Sequence, residues 1–376
     1  MPHLLPRNGT SKQLRAAAAL VATALAMAAA LTACTSAATS TGALQASAGG
    51  TTTVRLTGAG STFDAPFFLK AFAAYQQARP GLAVSYAAVG SSAGITRFAA
   101  GTVNFGATDV PASSTDLAAA RGAPAVQVPV DLGGISVAYN VLTLNGALKL
   151  TGPVLARIFL GQITRWNDPA ITALNPGAQL PDTYITVVHR ADGSGTTYIF
   201  SDYLSHVSTA WATKVGAGRS LHWPVGYAAD GNQGVATTIL RIPYSIGYVE
   251  DAYTAGTAIN SAAIANRDGN FVTPTPATIT ADAAAKPAIS AEDFSIVDEP
   301  GANAYPISGY SWVLVSASQP SQATGKALVG LLGWLTGTGQ SYAAALGYVP
   351  LPAAVQRLAD ATLAQVTGPG SQPLTG

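Results

Sequence analysis

Three times in this chain a β-forming run gives way to a loop of glycine, serine and threonine and then to helical spacing. The loops are Gly58-Ala59-Gly60-Ser61-Thr62-Phe63, Gly90-Ser91-Ser92-Ala93-Gly94 and Asp192-Gly193-Ser194-Gly195-Thr196-Thr197. Strand, loop and helix in alternation point to an α/β architecture. Each junction delivers a helix N-terminus, whose unpaired N–H groups and positive dipole end suit a small tetrahedral anion. Glycine lets backbone approach closely, and Ser and Thr hydroxyls add donors. One such loop alone is weak, because Ser or Thr before a helix is usually just a cap.

Around these loops the apolar spacing predicts strands over Thr52–Leu56, Leu82–Val89, Val103–Ala107, Tyr184–His189, Ile246–Glu250 and Ser311–Ser316. Helices are expected over Pro66–Ala78, Ala93–Ala100, Val154–Leu160, Thr197–Leu204 and Ala323–Leu335, the first with Phe67, Phe68, Ala71, Phe72 and Tyr75 on one face. Val126–Val141 is strongly apolar with Gly133-Gly134 inside it, as expected of chain passing between two lobes. Pro274–Ala291, rich in Ala, Thr and Pro, reads as a surface helix and loop with little role in the core, and Gly368–Gly376 as a frayed end. There is no fixed-period repeat.

The chain has 376 residues, of which 48% are hydrophobic and 10% charged, with a formal net charge of +1. That balance excludes nucleic-acid or anionic-membrane binding through bulk charge, so any anion site must be local. Arg7, Lys12 and Arg15 precede an alanine-rich run from Ala16 to Leu31, and the whole reads as a secretory leader over residues 1–33. The run is shorter than the ~20 residues a membrane span needs, and no second apolar run is long enough to span. Cys34 is the single cysteine, so the body has no internal disulfide. Leu31-Thr32-Ala33-Cys34 resembles the lipobox of bacterial lipoproteins, which implies acylation of Cys34; the alternative is an incidental thiol in a discarded leader. The small polar residues up to Gly50 read as a flexible tether, with a reach of roughly 20 Å.

Charged neighbours sharpen the case for an anion. Arg190, just before the third loop, can offer an oxyanion a forked pair of hydrogen bonds, and Asp192 could hold its guanidinium in place. Spacing alone equally allows a surface Arg–Asp pair of little value. Asp109 ends the strand-like Val103–Asp109 segment, where a carboxylate looks wrong for an anion site. An ionised carboxylate only accepts hydrogen bonds, so it can face an oxyanion only if that oxyanion keeps a proton. Phosphate does at neutral pH and sulfate does not, so Asp109 would act as a filter. The plainer alternative is a turn or cap aspartate.

These residues resemble the phosphate-binding proteins of the phosphate-specific ABC importer. The resemblance is carried by Leu56–Phe63, Val89–Gly94, Val103–Asp109, Ile158–Ile163 with Trp166-Asn167-Asp168, and Arg190–Thr196, in family order. Trp223–Gly226, Ile246–Glu250 and Tyr305–Ile307 extend it over nearly all the chain after Gly50. It implies a two-lobe, type II periplasmic-binding-protein fold with phosphate in the interlobe cleft. The chain would cross near Asp131 and Ile307, making residues 51–131 and 308–376 one lobe and 132–307 the other. The implied phosphate contacts are Thr62, the backbone of Phe63, Ser91, Asp109, Arg190, Ser194, Gly195 and Thr196, with Asp192 orienting Arg190. Two departures, Ser61 for the usual Ala and Ala93 for the usual Gly, remove no donor or acceptor.

The resemblance further implies an extracytoplasmic, lipid-anchored monomer without cofactor or metal that hands phosphate to ABC permease subunits. A serine hydrolase would want Ser194 at a nucleophile elbow, but Asp192 occupies the first glycine position of Gly-x-Ser-x-Gly, and nothing brings His189, His206 or His222 to that serine. The three histidines also lack metal-ligand spacing. Arsenate, which keeps a proton as phosphate does, and a role as phosphate-dependent sensor or adhesin stay open.

Overall fold

In this computed structural model the described residues are 53–118, 120, 124–144 and 147–374. The expected leader, Cys34 and the tether lie outside them. The framework strands are β1 (Val54–Gly60), β2 (Leu82–Ala88), β3 (Phe105–Thr108), β4 (Ala125–Asn140), β5 (Thr186–Arg190), β6 (Tyr227–Ala229), β7 (Ser245–Glu250) and β8 (Ser308–Ser316). They lie in the order β2-β1-β3-β8-β4-β7-β5-β6, with Asn260–Ser261 pairing on β4. Against them pack α1 (Ala65–Gln77), α2 (Ser91–Ala99), α3 (Ser114–Leu117), α4 (Gly152–Phe159), α5 (Gly195–Val207), α6 (Gly231–Arg241), α7 (Pro276–Ala285), α8 (Gln322–Thr336) and α9 (Ala353–Leu363).

Strand β4 is the spine, and its partners divide the molecule into two lobes. From Ala125 to Gly134 it runs antiparallel to β8, and from Ile135 to Asn140 it runs antiparallel to β7. On one side β1 pairs in parallel with β2 and β3, and on the other β5 pairs in parallel with β6 and β7. Parallel neighbours need crossover helices, so α1, α2, α5 and α6 start where strands end and bring their N-termini to one edge. The change of partner on β4 falls a few residues beyond the crossing expected near Asp131.

Apolar spacing explains the packing. Phe67, Phe68, Ala71, Phe72 and Tyr75 of α1 are all buried, and Pro66 in its first turn gives up no needed N–H. β4 is buried from Val128 to Tyr139, and its sequence there is apolar except for Asp131 and Ser136. Each such large side chain contributes about 1.5–3 kcal/mol of burial.

Two expectations are corrected. α7 lies inside Pro274–Ala291 but does contribute to the core: Ile279 and Ala283 are buried, and Ile279 packs over Gly134, where an added Cβ would come within 2.8 Å of its side chain. The segment expected to fray is held over Gly368–Leu374, since Leu374 is buried against Gly325 and the Gly368 N–H donates to the Gln372 carbonyl at 2.7 Å; 375–376 lie outside the described residues. Helices α6 and α9 add to those expected from apolar spacing. Among the described residues no helix is long and apolar enough to cross a membrane.

Candidate functional site

The three small-residue loops meet between the lobes. The first follows β1 and is pinned by the Ser61 N–H on the Ala107 carbonyl at 3.0 Å. In the second, Gly90 adopts φ +89°, a left-handed conformation that a side chain disfavours, and a Cβ there would lie 2.3 Å from Asp192 Oδ2. The third ends in Ser194, whose hydroxyl caps α5 by accepting from the Thr197 N–H at 3.1 Å. Contacts join them across the cleft: the Gly195 N–H donates to Ser91 Oγ at 3.0 Å, and the Ser92 N–H to the Gly193 carbonyl at 3.0 Å. Thr62, Phe63, Ser91, Asp109, Arg190, Ser194, Gly195 and Thr196 are all buried there. The structure thus brings together every residue expected at the anion from the sequence.

Arg190 ends β5 and is clamped by Asp192. Its Nε donates to Asp192 Oδ1 at 2.7 Å and its Nη2 to Oδ2 at 2.5 Å, while Nη1 is buried without a partner among the described residues. The forked pair fixes the guanidinium plane and leaves one charged donor edge to serve a ligand. Burial alone would raise the Asp192 carboxyl, but the bonds from Arg190 and from the Gly231 N–H, at 3.1 Å, hold it below its ordinary value.

Asp109, one residue past β3, is 2% exposed and packs on the start of α5. Its Oδ1 accepts from Ser311 Oγ at 2.9 Å, and Thr196 Oγ1 lies 3.4 Å from Oδ2. Burial pushes this carboxyl up to about 6, against the hydroxyls of Ser61, Ser311 and Thr196 and the Arg190 guanidinium, which favour its charged form. At neutral pH it is therefore mostly ionised and accepts without donating. Behind it sit three more buried carboxyls, Asp64, Asp131 and Glu250. Burial raises all three well above the ordinary range, with added repulsion from Asp131 and Asp109 at Asp64, from Asp109 at Asp131 and from Asp251 at Glu250.

One conclusion from the sequence needs correcting. Ser61, in place of the usual Ala, does affect a donor: its Oγ accepts the Phe63 N–H at 2.9 Å, so that the amide assigned to the ligand already has a protein partner. The position of His189, stacked on Trp223 with ring centroids 4.8 Å apart, is that of a packed strand residue.

Sequence reasoning missed four contributors. Asn232, near the start of α6, is fully buried and donates from Nδ2 to Thr62 Oγ1 at 3.0 Å and to Thr196 Oγ1 at 3.2 Å. Ser311 orients Asp109, Gly231 supports Asp192, and Tyr253 donates to the Thr62 carbonyl at 2.6 Å. The Asp230-Gly231-Asn232 string after a strand was the one available signal, since it is another small polar loop opening a helix.

The site therefore offers helix N-termini, hydroxyls and a guanidinium edge to an anion, and one ionised carboxylate to a donor on that anion. Two lobes joined by shared strands, with such a cradle between them, define a solute-binding domain of the periplasmic type, and a family model described as a PBP superfamily domain matches residues 9–337. The phosphate-binding protein PstS of Xylella fastidiosa is 41% identical over 309 residues, covering 81% of this chain and 84% of that protein. PstS3 of Mycobacterium bovis is 35% identical over 365 residues, covering 93% of this chain and 95% of that protein. Among solved structures, a high affinity periplasmic phosphate-binding protein bound with phosphate at pH 8.5 has a TM-score of 0.66 at 22% identity, covering 82% of this chain and 93% of that one. The chain belongs to the phosphate-binding protein family within the PBP superfamily.

Proposed function

We propose that this protein captures inorganic phosphate between its lobes, outside the cytoplasm, and delivers it to the permease of an ABC importer. The observation that carries this reading is the placement of ionised Asp109 among donors: Arg190 Nη1, the hydroxyls of Thr62, Ser91 and Thr196, and the first turn of α5. Such a pocket favours an oxyanion that has both acceptors for the donors and a proton for the carboxylate. A fully deprotonated dianion would meet like charge and leave Asp109 unpaired, at a cost on the order of several kcal/mol. The contact set is Thr62, Phe63, Ser91 and Asp109 from one lobe and Arg190, Ser194, Gly195 and Thr196 from the other, with residues 51–131 and 308–376 as the first lobe and 132–307 as the second.

In this mechanism the lobes close on the anion, whose oxygens replace Ser91 Oγ at the Gly195 N–H and Ser61 Oγ at the Phe63 N–H. The closed form docks on the permease and opens there. No bond is made or broken, and the role is one of binding rather than catalysis. The lipobox-like Leu31–Cys34 supports attachment of a monomer to the membrane surface through an acylated Cys34. Titration calorimetry with phosphate, sulfate and arsenate tests the reading. Tight phosphate binding with sulfate rejected is expected; equal binding of sulfate would overturn it.

A further inference from the structure

We infer that Asn232 sets the direction of the hydroxyl protons that face the anion, a positioning role that rests on the phosphate reading above. The backbone fixes which end of its amide faces where. The Glu250 N–H lies 3.1 Å from Asn232 Oδ1, and a backbone N–H can only donate, so the oxygen end must point at Glu250 and the NH2 end at the threonines. Both amide protons are then committed, one to Thr62 Oγ1 at 3.0 Å and one to Thr196 Oγ1 at 3.2 Å. The Asn232 backbone N–H adds a second bond to Thr62 Oγ1 at 3.1 Å.

A threonine hydroxyl has one proton and two acceptor sites. At Thr62 both acceptor sites are filled by Asn232, so the oxygen can take part in any further hydrogen bond only by donating its own proton. At Thr196 one acceptor site is filled, which biases that proton toward Asp109 or toward an anion between them. Removing the Asn232 side chain frees one acceptor site on each hydroxyl, the backbone N–H still filling the other at Thr62, and an anion, which needs donors, loses that preorganisation.

The arrangement also links proton order to closure. Thr62 belongs to the loop after β1, whereas Asn232 and Thr196 belong to the opposite lobe. The Thr62 hydroxyl is turned into an obligate donor only when the lobes are together, so the donor set that holds phosphate is completed by the closing movement itself.

A double-mutant cycle read by titration calorimetry with inorganic phosphate tests this. Asn232→Ala should weaken phosphate about tenfold in the native background, the loss of roughly one net hydrogen bond to a charged partner, and by only about threefold when Thr62 is already Val, where the bond to Thr196 alone remains to be lost. Equal losses in both backgrounds would mean that Asn232 acts only as scaffolding and would overturn the assignment. Should Asn232→Ala fail to fold, Asn232→Leu, close to Asn in shape, removes both donors without adding charge and enters the same cycle with the same two outcomes. A native chain that binds no phosphate removes the phosphate reading itself and this inference with it, whereas native binding with an additive cycle removes the inference alone.

Discussion

Gly195→Ala isolates the closed cleft as the binding state. Gly195 opens α5 in one lobe and Asp109 follows β3 in the other. A Cβ on Gly195 would lie 2.6 Å from Asp109 Cβ and 2.7 Å from its N and Oδ2, against 3.4–4 Å for ordinary contact. The backbone nitrogen cannot swing aside as a side-chain tip would, so the lobes must separate by about 1 Å or strain by an overpacking cost of about 1–3 kcal/mol. That corresponds to phosphate binding about 5- to 150-fold weaker. The helix itself gains, since Ala exceeds Gly in helix propensity by up to about 1 kcal/mol, so any loss comes from across the cleft. Calorimetry should show the weakened Kd, while the melting temperature without phosphate stays within a few degrees of native because the lobes can part. A Kd within twofold of native would refute the reasoning.

Three further perturbations probe the same geometry. Asp109→Asn should admit sulfate, because an amide can donate where the carboxylate cannot, and unchanged sulfate rejection in calorimetry would count against the filter. The same variant should be more stable than native at neutral pH: a carboxyl raised from 3.8 to about 6 favours the fold only while protonated. That contribution is complete below about 3.8 and lost as pH rises through about 6, so the gain in urea melts at pH 7 should be up to about 3 kcal/mol and vanish near pH 4. Arg190→Ala removes the guanidinium and leaves Asp192 without its partner, so phosphate affinity should fall by about 2–5 kcal/mol; near-native binding would refute the role given to Arg190. Asp116 of α3 and Arg219, paired at 2.6 Å and 2.8 Å through Arg219 Nη2, join the lobes beside the third loop, whose Ser194 N–H donates to the Arg219 carbonyl at 2.9 Å. Asp116→Asn should speed phosphate release roughly fivefold in stopped-flow, about 1 kcal/mol, with an effect that shrinks as salt is added; release at the native rate would show that this pair does not help hold the lobes shut.

The site was legible in the sequence to the extent that its chemistry is local. Glycine and hydroxyl residues at strand ends, Arg190 two residues before Asp192, and Asp109 just past the end of β3 are all short-range patterns, and each side chain proved to be in the cradle. What escaped were the supports whose roles depend on distant chain. Ser311 reaches Asp109 over a separation of 202 residues, and Asn232 reaches Thr62 over 170. The burial of Asp64, Asp131 and Glu250 could not be read from sequence, because burial on every side is a property of the fold and not of neighbours in sequence. Ser61 looked harmless for a related reason: a hydroxyl added to the alanine methyl removes nothing, but here it captures the Phe63 N–H. Helix α9 was missed although Val355, Ala359 and Leu363 keep helical spacing, and its role shows only where it packs against β4 and α8.

The two chain passages between the lobes are not independent linkers. β4 and β8 run side by side through the crossing, bonded at Ser308 with Gly134, Gly309 with Gly133 and Tyr310 with Leu132. A pair of laced strands bends across its flat face far more easily than it shears or swivels. Any gaping of the cleft must therefore follow one path, like the cover of a bound book, and the cradle meets in the same register each time it shuts.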